Sequence, residues 1–122
     1  MTKPAAQSDE YYTDERCHIL ELMNTPDYPE ASIARARVEP GVTTKQHRVT
    51  QTTERYVILQ GEGTAMVDGQ PDSHVSPGDE VVIPPGFTQS IVNTGESDLV
   101  FLCICTPRFE WDNYVSLEAD DE

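Results

Sequence analysis

Hydrophobic residues fall into short runs along the middle of the chain, and turn-forming residues separate nearly all of these runs. Asp68 and Gly69 favour a tight hairpin, because both residue types accept a positive φ. Regularly spaced short strands predict an all-β sandwich or barrel. Seven runs are rich in β-branched or aromatic side chains and predict strands: Cys17–Leu22, Ser32–Glu39, Arg55–Leu59, Gly63–Val67, Glu80–Ile83, Thr88–Val92 and Leu99–Cys105.

Three of these strands are apolar at consecutive positions, namely Tyr56–Leu59, Val81–Ile83 and Leu99–Cys105. A strand of this kind is covered on both faces. One face would line the interior of a barrel. The other needs a second sheet or a second subunit, because a monomer of 122 residues would otherwise expose a large apolar patch. The pattern therefore predicts a homodimer.

The two ends of the chain differ from this centre. Residues 1–14 are polar and aperiodic, which predicts a flexible arm. Residues 110–122 hold six carboxylates and no Lys or Arg, while Trp111, Tyr114 and Val115 share one helical face. We therefore expect a single β domain over residues 15–109, followed by a short helix and an acidic tail.

Composition restricts the partners and the compartment. The chain has 22 acidic and 8 basic residues and a net charge of −14. Such a charge repels phosphate backbones and anionic lipids, which argues against nucleic-acid and membrane partners. Three cysteines without a framework spacing, and an N-terminus without an apolar leader, favour the reducing cytoplasm. The half from Tyr56 to Pro107 has no Lys or Arg and favours neutral or cationic ligands.

Two motifs anchored by glycine and proline lie in the centre of the chain. The first contains Gly41, His47, Glu54 and Gly61, and the second contains Gly78, Pro84, Gly86, Gln89 and Asn93. These spacings resemble the two motifs of the cupin superfamily, and flanking strands extend the resemblance to roughly Ser32 through Pro107. Val49 and Gln89 depart from the pattern, because the cupin motifs have histidine at both positions.

The resemblance implies a double-stranded β-helix, which is a jelly-roll-like barrel, with a divalent metal held inside by three histidines and a glutamate. His47 and Glu54 are the two ligands retained, and the amide oxygen of Gln89 is a weaker third candidate. This donor set suits iron, manganese, nickel or zinc. His47, Glu54 and Gln89 are therefore candidate metal ligands, and His47 and Glu54 are candidate catalytic residues.

Other interpretations of these residues stay open. The same three side chains also fit a hydrogen-bonded network, or a metal-free pocket in which they contact a ligand directly. Arg35 and Arg37 share one strand face and could bind an anionic substrate, or else form surface ion pairs. Tyr56 is a candidate ligand contact, with core packing as its alternative.

Three functions are compatible with the sequence, and each acts on a small polar molecule. The first is a metal-dependent isomerase, lyase, cyclase or oxygenase. The second is a non-catalytic, metal-free module that binds a sugar or another small molecule. The third is acid–base chemistry without metal, carried by Glu54 or His47.

Overall fold

Residues 9–118 are described by the computed structural model, and their strands form two antiparallel sheets. The larger sheet has the order β1-β2-β3-β10-β5-β8, and the smaller has the order β11-β4-β9-β6-β7. The strands are β1 (Tyr11–Tyr12), β2 (His18–Met23), β3 (Ser32–Val38), β4 (His47–Val49), β5 (Thr53–Gln60), β6 (Gly63–Val67), β7 (Ser73–Val75), β8 (Glu80–Ile83), β9 (Gln89–Asn93), β10 (Leu99–Thr106) and β11 (Tyr114–Ser116).

The two sheets enclose the core, because alternate side chains of each strand point between them. On β5, Tyr56 and Ile58 are buried while Leu59 is exposed. Ile91 of β9 and Leu99 of β10 are fully buried and meet Ile58 in the same cluster. The predicted all-β fold is confirmed, and no helix within residues 9–118 is long and apolar enough to cross a membrane.

Gly61, an anchor of the first motif, is required by the turn between β5 and β6. Its φ is +83°, and a Cβ atom at this position would lie 2.6 Å from the backbone oxygen of Asp98. Only glycine combines this left-handed conformation with so close an approach of another backbone. Gly63 is similarly confined, since its Cβ would lie 2.5 Å from the oxygen of Val92.

The structure revises both predicted ends. Tyr11 and Tyr12 form a short strand that pairs with His18 and Ile19 of β2, so these residues are not the mobile arm expected from their polarity. Residues 1–8 of that arm, and residues 119–122 of the acidic tail, lie outside the described residues. The predicted C-terminal helix is reduced to a single 3₁₀ turn at Trp111–Asn113. Tyr114–Ser116 then pairs with β4, because hydrogen bonds to a free strand edge replace those of a further helical turn.

The reversal at Asp68 and Gly69 is longer than the predicted two-residue hairpin. β6 and β7 do pair, with Gly63 opposite Val75 and Ala65 opposite Ser73, but residues 68–72 separate them. Gly69 has a φ of +74°, as expected for a turn glycine.

An ion pair joins the two ends of the described chain. The guanidinium of Arg16 lies 3.0 Å from Oε1 of Glu118, and its Nε donates to the backbone oxygen of Thr43 at 2.9 Å. The second carboxylate oxygen of Glu118 accepts a hydrogen bond from the backbone of Gln46. The segments before β2 and after β11 are thereby held together beside β4.

Candidate functional site

A cavity of about 90 Å³ lies between the two sheets. Both sheets contribute to its lining, with Glu54, Tyr56 and Phe101 on the larger sheet and His47 and Val49 on the smaller. This volume is well above the roughly 10–15 Å³ that one water needs. The barrel interior therefore contains a small pocket with polar groups.

His47 is positioned by β4, where it lies directly opposite Gln89 of β9. Its Nδ1 is 2.9 Å from the backbone oxygen of Lys45 and 3.1 Å from Oε2 of Glu15. The carbonyl oxygen of Lys45 can only accept, so Nδ1 donates to it and Nε2 is left free of this contact. The ring of Tyr114 stacks on the imidazole with 5.0 Å between centroids.

Glu54 enters the pocket from β5 and is only 8% exposed. Burial raises its pKa from 4.5 to about 7, although His47 and hydrogen bonds from Gln89 and Cys103 oppose the rise. Its Oε1 atom is buried and has no hydrogen-bond partner among the described residues. A buried carboxyl oxygen in this state is an unsatisfied acceptor.

Tyr56 and Gln89 are joined by a hydrogen bond in which the phenolic hydroxyl donates to Oε1 of the amide. Both side chains are almost fully buried. The oxygen of the Gln89 amide is thus held by Tyr56, and Gln89 also opposes the rise in the pKa of Glu54. The structure brings together the three residues predicted to meet in the barrel, His47, Glu54 and Gln89, and Tyr56 lies beside them.

Glu15 is a pocket residue that the sequence interpretation missed. It lies in the segment between β1 and β2, and burial raises its pKa to about 7 while the charge of Lys45 opposes the rise. No strand period in the sequence reaches Glu15, because residues 14–17 form a turn before β2 and Arg16 has a positive φ.

The assignment of Arg35 and Arg37 to the ligand site is corrected by the structure. Ala34 and Ala36 of β3 line the cavity, so the two arginines between and after them lie on the opposite face. The guanidinium of Arg37 is 2.7 Å from Glu10 and 3.0 Å from Asp98, and that of Arg35 is 3.6 Å from Glu10. They form the surface ion pairs that were the alternative interpretation.

The donor set does not fit the metal site that the family resemblance implied. Among residues 9–118, no three His, Cys, Asp or Glu side chains are arranged to hold a metal ion. Val49 has no donor atom, and the oxygen of Gln89 already accepts from Tyr56. His47 and Glu54 alone would leave a transition metal with too few strong ligands.

Comparison with known proteins agrees with the barrel architecture. A cupin domain family model matches residues 34–105. An uncharacterized protein of Methanocaldococcus jannaschii is 32% identical over 110 residues, which are 88% of this chain and 87% of the relative. The oxalate-binding protein of Thermotoga maritima is 37% identical over 71 residues, and this match spans 58% of each chain.

A solved structure extends the likeness to three dimensions. The crystal structure of a predicted oxalate decarboxylase from Thermotoga maritima superposes with a TM-score of 0.77 at 26% identity. The superposition covers 88% of this chain and 99% of the other. The family match, the relatives and the two-sheet barrel show that this chain belongs to the cupin domain family.

Proposed function

We propose that the chain binds a small polar molecule inside the barrel and that Glu54 and His47 contact it directly, without a transition metal. The unpartnered Oε1 of Glu54 carries this proposal. A buried polar atom without a partner costs about 1–3 kcal/mol, which a donor group on a ligand would recover. Glu54 itself lines the cavity between the two sheets.

The pocket offers complementary hydrogen-bonding groups. Glu54 can donate when protonated and accept when ionised, and its pKa of about 7 makes both forms accessible near neutrality. Nε2 of His47 accepts, because Nδ1 is committed to the oxygens of Lys45 and Glu15. A molecule with hydroxyl or N–H groups satisfies this arrangement. The relative named an oxalate-binding protein supports a small-molecule ligand in general terms.

A binding titration with metal analysis tests the proposal. Nuclear magnetic resonance of ¹⁵N-labelled protein would be followed during addition of benzylamine, benzyl alcohol, benzoate and dihydroxyacetone in turn. At least one probe should shift the resonances of β4 and β5, and Glu54→Gln should change its affinity while the exposed control Glu96→Gln does not. Failure of all four to bind would contradict the proposal.

Elemental analysis of untagged protein addresses the metal directly. Near-stoichiometric iron, manganese, nickel or zinc that disappears in His47→Ala would refute the metal-free form of the proposal. We expect the wild-type protein to contain far less than one transition-metal ion per chain, because the donor set around His47 lacks a third strong ligand.

Acid–base catalysis by Glu54 is a second candidate, favoured by its pKa of about 7. A carboxyl with this pKa is suited to proton transfer near neutral pH. Dihydroxyacetone in deuterated buffer is a suitable probe, since a base that removes its carbon-bound proton allows deuterium to enter. Exchange above the buffer rate that is abolished by Glu54→Gln supports catalysis, and unchanged exchange contradicts it.

We also propose a homodimer formed by the outer face of the larger sheet. Leu59 and Val82 are 49% and 45% exposed there, and Val57, Leu102 and Ile104 are half-buried on the same face. A dimer would cover these apolar side chains. Light scattering after gel filtration should give twice the chain mass, and Leu102→Lys should give the monomer. A monomeric wild-type protein would contradict this arrangement.

A further inference from the structure

The lining of the pocket is acidic and lacks balancing cations. Glu15, Glu21 and Glu54 all line the cavity, whereas neither Lys nor Arg appears among its described lining residues. Lys45 acts electrostatically on Glu15 from outside that lining. The imidazole of His47 opposes the rise in the pKa of Glu54, while burial raises the pKa of Glu21. The described lining thus holds three carboxyl groups and one imidazole.

A second observation points to a ligand in the same place. Glu54 is more than nine-tenths buried, lines the cavity, and has an oxygen without a hydrogen-bond partner. A charged or polar group held inside a protein in this way is normally paired. The missing partner is a donor, because a carboxylate oxygen only accepts.

Aromatic rings form the remaining wall of the pocket. Trp111 is 61% exposed and lies edge-on to Tyr114, at 5.3 Å between centroids. Tyr114 in turn stacks on the buried ring of His47. Phe109 packs edge-on against Trp111 at 5.0 Å. The electron-rich faces of such rings attract cations and also pack against flat apolar groups.

We propose that the pocket selects a small organic cation, namely an amine whose N–H groups donate to Glu54. Glu21 and Glu54 would balance its charge, and the rings of Trp111 and Tyr114 would contact its organic part. The inference rests on the proposed small-molecule function of this pocket and adds the charge class of the ligand. The cavity of about 90 Å³ accommodates the ammonium end and the groups next to it.

Anionic ligands are disfavoured by the same arrangement. A dicarboxylate such as oxalate would approach three glutamates without a lysine or arginine in the described lining to bind it. Arg35 and Arg37, which could have served an anion, pair with Glu10 and Asp98 on the opposite face of β3. This chain and the relative named an oxalate-binding protein thus differ in the ligand charge that we expect.

Three matched probes test the charge preference. Benzylamine, benzyl alcohol and benzoate share one ring and carry a positive, zero and negative charge. Their dissociation constants would be measured by resonance titration of the full chain at about pH 8, where the carboxyls are ionised. We expect benzylamine to bind at least roughly tenfold more tightly than benzyl alcohol, and benzoate to bind most weakly.

Variants then locate the source of the preference. Glu54→Gln should lower the ratio of benzylamine to benzyl alcohol affinity at least about fivefold, because the amide carries no charge to pair with the ammonium group. Glu21→Gln provides an independent variant should Glu54→Gln not fold, and Glu96→Gln is the exposed control. The advantage should persist in Glu96→Gln.

Contrary outcomes separate this inference from the proposed function. Benzyl alcohol or benzoate binding as tightly as benzylamine would overturn the cation preference and leave the small-molecule function standing. An advantage that survives in both Glu54→Gln and Glu21→Gln would overturn the assigned residues. If none of the three probes nor dihydroxyacetone binds, the proposed function itself fails.

Discussion

Replacement of Glu54 by glutamine should stabilise the protein at alkaline pH. Glutamine resembles the protonated carboxyl in shape, but it cannot acquire the buried negative charge. The folded-state pKa of Glu54 is raised from 4.5 to about 7, so the folded protein retains a proton that the unfolded chain releases. Stability contributed by this group is therefore complete below about pH 4.5 and is lost as the pH rises through about 7.

The size of the effect follows from the same pKa. At about 1.4 kcal/mol for each tenfold change in proton affinity, a rise from 4.5 to about 7 costs about 3 kcal/mol once the group is ionised in both states. Glu54→Gln should thus raise the free energy of unfolding by up to about 3 kcal/mol at pH 8 relative to its effect at about pH 5.

Urea denaturation of the wild type and the variant at the two pH values measures this difference. The exposed control Glu96→Gln should show no comparable pH-dependent gain. The reasoning is refuted if Glu54→Gln is destabilised more at pH 8 than at about pH 5. That result would mean that ionised Glu54 is stabilised by pairing with His47 more than it is destabilised by burial.

Four further substitutions test three other contacts by urea denaturation or binding. Tyr56→Phe removes the donor to the buried oxygen of Gln89 and should cost about 2 kcal/mol of unfolding free energy, and a neutral effect would contradict this bond. Gly61→Ala should cost about 3 kcal/mol or more, whereas Gly69→Ala, with a similar φ but open space, should cost only about 1 kcal/mol; equal losses would refute the backbone clash. Arg37→Ala should cost at most about 1 kcal/mol and leave benzylamine affinity unchanged, while weaker binding would return Arg37 to the site.

The barrel could be predicted from the sequence because the glycines and prolines of its motifs are required by particular backbone conformations. Gly61 needs a left-handed conformation under a neighbouring strand, and such a requirement is visible in one residue type at a fixed spacing. The meeting of His47, Glu54 and Gln89 was predictable for the same reason, since the motif spacing places them on facing strands. Whether these residues bind a metal could not be predicted from the sequence, because the arrangement of donor atoms depends on distances between side chains.

The missed features depend on contacts between distant parts of the chain. Glu15 lies just before Arg16, whose φ of 67° interrupts the extended chain, so the local pattern leaves Glu15 outside the first predicted strand, Cys17–Leu22. Trp111 and Tyr114 have helical spacing, and only the free edge of β4 decides that Tyr114 continues as a strand. Predicting which way Arg35 and Arg37 point needs the register of β3, because the alternation of side chains alone does not show which face of a strand is interior.

The ion pair between Arg16 and Glu118 holds together two flanking segments that also supply residues to the pocket. The motif-bearing core within residues 34–105 supplies Glu54, but Glu15 and Tyr114 come from segments on either side of it. A fragment limited to residues 34–105 would contain Glu54 but would lack Glu15 and Tyr114, which line the other part of the pocket. Exchange of the flanking segments between homologues would therefore alter the pocket lining while the residues of the two motifs stay unchanged.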